Sequence, residues 1–169
     1  ENLCLTSWGS KMNDRLAEIV AEVVAANFEE LAFMFAEQAE PDMLPPLEDE
    51  AEAVQMTFTG HFSGVVVMAV PQPVTLELAG NMLGMDEDEE QVLEVTHDSL
   101  KEMLNVICGH ILTEVAGTEV VFDLSVPSVK RLNESAWNSL LQMPDTITFE
   151  LDDQPMLLNV RLKTDVDQL

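Results

Sequence analysis

The run Ala53-Val-Gln-Met-Thr-Phe-Thr-Gly-His-Phe-Ser-Gly-Val-Val-Val-Met-Ala-Val70 decides the fold class. Residues Ala53–Thr59 and Gly64–Val70 are rich in strand-forming side chains, and Gly60-His-Phe-Ser63 between them has the composition of a hairpin turn. Two strands joined this directly run antiparallel. Near the other end of the chain, Thr146–Leu151 and Met156–Leu162 alternate apolar and polar residues around Asp152-Asp-Gln-Pro155, which predicts a second hairpin. A further β run, Glu119–Val126, closes at Pro127. Lys130–Met143 stays open between a helical turn around Trp137, Leu140 and Leu141 and a loop.

Helical periodicity fills the rest. From about Asn13 to Gln38, residues Leu16, Ile19, Val20, Val23, Val24, Leu31 and Met34 fall on one stripe, widened by Phe28 and Phe35, with Asn13 or Asp14 as the cap. Pro41, Pro45 and Pro46 break this helix. Val74–Leu83 predicts a short helix ended by Gly84. A long helix follows over about Glu90–Val115, its acidic start suited to a helix N-terminus. The expected architecture is α+β: a mainly antiparallel sheet of about five to six strands with two long helices packed on it. Each half is a long helix followed by strands, which suggests a pseudo-repeat. One domain is expected over 12–163, with 1–11 as a tail, native or foreign, and 164–169 as a C-terminal tail.

With 169 residues and 47% hydrophobic side chains, the chain has the material for a packed core. It carries 32 acids against 7 bases, a net charge of −25. Such a surface repels nucleic-acid backbones and anionic lipids, so neither is expected as a partner. The acidity reads as solubility in the cytoplasm, or as steering toward a basic or metal-loaded partner. Cys4 and Cys108 form no disulfide framework, and reduced thiols in a cytoplasmic protein are expected. No apolar run approaches the length of a membrane span.

The long helix around Thr96-His-Asp-Ser-Leu-Lys-Glu-Met-Leu-Asn-Val-Ile-Cys-Gly-His110 has two faces. Leu100, Leu104, Ile107, Ile111, Leu112 and Val115 form its apolar stripe. Asp98, Glu102, Asn105 and Gly109 fall within roughly 60° of one another on the other side, at about 100° per residue. An acid, an amide and a bare backbone patch therefore share one ridge. The i, i+3 spacing makes Glu102 and Asn105 neighbours, whereas a spacing of two would aim them apart. Elsewhere, His61, His97 and His110 form no convincing metal set, so no metal is expected. Ser99 lacks a partner base, and phosphate-cradling glycine motifs are absent.

Asp98-xxx-Glu102-xx-Asn105-xxx-Gly109, on a helix between two groups of strands, resembles the signature of the CheC/CheX/FliY family of response-regulator phosphatases. Ala26-Asn-Phe-Glu-Glu-Leu-Ala-Phe-Met34, Phe62-Ser-Gly-Val-Val-Val-Met68 and Leu78-Ala-Gly-Asn-Met-Leu-Gly84 are similar to the single-site CheX branch. The resemblance implies a chemotaxis or two-component phosphatase that hydrolyses the aspartyl phosphate of a CheY-type receiver domain. It implies Asn105 as the amide that holds a water in line with phosphorus, and Glu102 as the acid that pairs with the receiver's lysine. Asp98 would be a supporting contact, and Gly109 would let the helix approach another backbone. It implies no cofactor bound by this chain, Mg²⁺ on the partner receiver domain, and a homodimer formed through sheet edges. The alternative is a non-catalytic adaptor of the same fold that binds a receiver domain or another signalling partner. Two-site relatives carry a similar acid and amide on the first helix. Here Val24 stands three residues before Asn27, and Asn27 falls on the apolar stripe, so one site per chain is expected.

Overall fold

A computed structural model describes residues 12–86 and 90–163. The expected tails, Cys4 and the middle of the acidic stretch after Gly84 lie outside the described residues. The first hairpin is formed by β2 (Ala51–Thr59) and β3 (Gly64–Pro71), which pair antiparallel with Phe58 opposite Gly64. Only glycine fits there: a Cβ on Gly64 would collide with the Arg161 carbonyl and the Phe58 ring. The second hairpin, β6 (Thr146–Leu151) and β7 (Gln154–Leu162), turns on Asp152 and Asp153 alone. Both have positive φ, 44° and 66°, as a two-residue hairpin needs.

These hairpins are the centre of a seven-stranded antiparallel sheet in the order β1–β6–β7–β3–β2–β4, with β5 also on β2. The α+β class and the antiparallel sheet are as expected. The strand count is higher because of short pieces at the edges. These are β1 (Ala36–Gln38) on one side, and β4 (Asp123–Leu124) and β5 (Ser128–Leu132) in line on the other. The order reads the same when the halves are exchanged. β1 of the first half lies on β6 of the second, and β4–β5 of the second half lie on β2 of the first. Each half lends its first strand to the other, and the pseudo-repeat is visible in the topology.

Strand alternation divides the core. Val54, Met56, Phe58, Val66, Met68, Val70, Phe149, Met156, Leu158 and Val160 face the long helices α1 (Asp14–Ala32) and α3 (Glu90–Ala116). Ala51, Ala53, Val65, Val67, Ala69 and Leu157 face the other way, under Leu132, Trp137 and Leu140. Trp137 and Leu140 belong to α4 (Glu134–Leu141), so the ambiguous stretch contains a strand and then a helix capped by Asn133. The short helix α2 (Gln72–Leu83) takes Pro73 in its first turn, where its missing N–H is harmless, and ends at Gly84 with φ 66°.

Two boundaries depart from the periodicity. Asn13 caps α1, its Oδ1 accepting from the Leu16 N–H at 2.8 Å, but the helix stops at Ala32 rather than Gln38. Phe33 turns the chain in the left-handed region at φ 54°, and Phe35 exchanges hydrogen bonds with Asp152 on the way into β1. Pairing with β6 overrides a local sequence of good helix formers, leaving Phe35 exposed instead of on the stripe. Likewise, Glu119–Val126 is not one strand: only Asp123–Leu124 pairs with β2.

Candidate functional site

The sequence of α3 sets which of its faces is available. Leu100, Met103, Leu104, Ile107, Cys108, Ile111 and Leu112 are all buried against the sheet and α1. The helix runs in the same direction as β2. His97 meets Glu52 near one end, and Leu112 and Phe58 share a packed cluster near the other. Because β2 is flanked on its outer side only by the short pieces β4 and β5, the ridge of α3 overlooks the sheet edge. Asp98 and Glu102 are exposed there, and Asn105 and Gly109 are half-buried.

Asp98, Lys101, Glu102 and Asn105 form one bank of an open groove of about 480 Å³. Leu124, Ser125, Val126 and Pro127 form the other. Among the described residues, nothing hydrogen-bonds to the side chain of Glu102 or Asn105. The groove therefore offers two carboxylates, an ammonium and an amide that is both donor and acceptor, beside an apolar shoulder. Gly109 does not line it, and a Cβ there would meet open space. Sequence reasoning missed the second bank entirely. Its one visible signal was Pro127 after a β run, a residue that sheets confine to edges and bulges.

A second groove, of about 380 Å³, runs between α1 and α3 and is lined in part by Asn27, Glu22, His110 and Glu114. Asn27 is 3% exposed, and its amide donates to the Val23 carbonyl at 2.7 Å. It is a core asparagine satisfied within its own helix, and no acid precedes it at the spacing found on α3. Among the described residues, no group of three or more His, Cys, Asp or Glu side chains converges as metal ligands. None of the described helices is long and apolar enough to cross a membrane.

Burial governs Cys108. Its thiol sits in the α1–α3–sheet core, and desolvation of the thiolate pushes its pKa up to about 12. It is an inert packing residue, one position from the ridge but turned away from it.

Several solved structures share this fold. The chemotaxis protein CheX from Desulfovibrio desulfuricans superposes with a TM-score of 0.64 at 15% identity, covering 88% of this chain and 99% of that one. CheX from the CheX–CheY–BeF3–Mg complex of Borrelia burgdorferi gives 0.62 at 15% identity, covering 88% and 98%. FliY from Thermotoga maritima gives 0.54 at 15% identity, covering 93% and 94%. No curated protein matches the chain in sequence. At these identities the structural likeness speaks for the fold. Membership comes from the sequence: the family model described as chemotaxis phosphatase CheX matches residues 53–147, more than half of the chain and all of the α3 ridge. The chain belongs to the CheX family.

Proposed function

We propose that this protein hydrolyses the aspartyl phosphate of a CheY-type receiver domain, with Asn105 and Glu102 as the residues that act on it. The observation that carries the reading is the placement of these two side chains one turn apart on the exposed face of α3, in one groove, in a chain of the CheX family. An acyl phosphate is already activated, so its hydrolysis needs a positioned nucleophile more than a strong base. The Asn105 amide holds a water in line with phosphorus. The water oxygen bonds to phosphorus as the bond to the aspartyl oxygen breaks, which leaves the aspartate as a carboxylate, and both of the water's protons leave with inorganic phosphate. Glu102 accepts from the receiver's lysine and orients the docked pair, while Asp98 extends the acidic bank. The receiver brings its own Mg²⁺, and this chain supplies no cofactor.

The homodimer that the family resemblance implies fits this reading if it forms along the β1 edge, since the β4–β5 edge borders the groove. The burial of Asn27 and its hydrogen bond to the Val23 carbonyl support one site per chain. The test is phosphate release from a panel of the source organism's receiver domains charged with acetyl phosphate. Wild type should accelerate it for at least one receiver, and Asn105→Ala should reduce kcat by about 100-fold or more, the scale of a lost positioning group. Acceleration that survives Asn105→Ala removes the site assignment. Binding without acceleration supports an adaptor.

A further inference from the structure

The groove's second bank is a β-bulge, and its geometry points to a function. Leu124 pairs with Phe58, and the Ser125 N–H donates to the Thr57 carbonyl at 2.9 Å, so the register is regular up to Ser125. Pairing resumes with Ser128 opposite Gln55. Two residues, Val126 and Pro127, therefore stand opposite the single residue Met56. At the entry to the bulge, the Thr57 N–H donates not to a backbone carbonyl but to the Ser125 hydroxyl at 2.8 Å. The side chain stands in for its own main chain, which is free to turn outward. Pro127 has no N–H to leave unpaired at the irregular position. Bulges re-aim a side chain at a sheet edge, and the one re-aimed here is Val126, 87% exposed, with Leu124 beside it at 38%.

We infer that the Val126 bulge is a docking element for the partner of this groove: it packs against an apolar surface patch that lies beside a basic group on that partner. The occupant is the receiver domain of the proposed function, on which this inference rests. Charge decides the chemistry of its contact surface. The α3 bank presents Asp98, Glu102 and Asn105, with Lys101 among them, so a cation on the occupant is matched there. The opposite bank has no charged side chain and offers aliphatic surface from Leu124, Val126 and Pro127. Pinning on both sides, by Ser125 to Thr57 and by Ser128 to Gln55, means that little freedom is lost when Val126 is covered. The bulge contributes affinity and leaves the chemistry to Asn105.

The test compares wild type, Val126→Ser, Asn105→Ala and the control Val121→Ser, a valine 82% exposed that does not line the groove. Phosphate release is followed over a range of phosphorylated receiver concentrations, and binding is measured with the beryllofluoride-loaded receiver. Val126→Ser should raise KM and the dissociation constant by about tenfold, the equivalent of covering one valine, with kcat unchanged. Val121→Ser should change neither. If wild type is active and Asn105→Ala is not, but Val126→Ser behaves as wild type, the docking inference is overturned and the phosphatase reading stands. If no receiver is dephosphorylated but one is bound, and Val126→Ser weakens that binding, the docking inference stands and the phosphatase reading falls. Binding that is insensitive to Val126→Ser, or absent for every receiver, overturns it.

Discussion

His97 on α3 contacts Glu52 on β2, with Nε2 to Oε1 at 2.9 Å. A carboxylate only accepts, so His97 donates from Nε2. Glu52 is 4% exposed, and its other oxygen has no hydrogen-bond partner among the described residues, so His97 is the contact that offsets its burial. The pair ties α3 to the sheet one residue before Asp98. His97→Ala should therefore destabilise the fold by about 1–2 kcal/mol, since a buried acceptor loses its partner while water enters from the half-exposed histidine side. Urea unfolding checks this, and an unchanged midpoint would show that the pair contributes nothing.

Glu102 is exposed, and its proposed partner is a cation on another molecule. Glu102→Gln should raise KM about three- to tenfold at low salt, and the difference from wild type should shrink as ionic strength rises. A fall in kcat with KM unchanged would instead make Glu102 a participant in the transition state.

Gly109 offers a separable readout. A Cβ there meets nothing within 4 Å inside the chain, so Gly109→Ala should stabilise α3 by up to about 1 kcal/mol. If the partner's backbone approaches this point, the same variant should weaken turnover several-fold. A more stable protein with undiminished activity would remove Gly109 from the docking surface.

Asn27→Ala should lower stability by about 1 kcal/mol, because the amide that satisfies itself on Val23 is lost from a packed face. Phosphate release should be unchanged. Reduced release in a protein folded as wild type would assign a second active amide to α1.

The thiol of Cys108 gives a pH signature. Its pKa is raised to about 12 from 9.0 by burial, so the folded protein keeps a proton that the unfolded chain releases. Stability is thus undiminished by this group below about pH 9. It falls as pH climbs toward 12, by at most about 1.4 kcal/mol per pH unit. Cys108→Ala should shift stability by a constant amount below pH 9 and flatten the decline above it. Identical slopes for the two proteins would mean that the thiolate is tolerated in the core.

What the sequence determined by itself is whatever repeats with a local period. Alternation and turn chemistry placed both hairpins, and the 3.6-residue stripe of α3 assigned Asp98, Glu102, Asn105 and Gly109 to one side. The i, i+3 spacing made an acid and an amide neighbours. Tertiary structure decided what depends on a distant partner. The sequence around Leu31–Gln38 is a good helix, and it leaves the helix at Phe33 because β6, more than a hundred residues away, offers it a strand to pair with. The break in Glu119–Val126 and the bulge at Val126–Pro127 exist because two strand fragments align on β2, some seventy residues earlier in the chain, with one residue too many between them. No local pattern encodes a register shift against a remote strand. The polar bank of the groove was therefore legible in the sequence, while the apolar bank appeared only once β2 was seen to pair with both fragments.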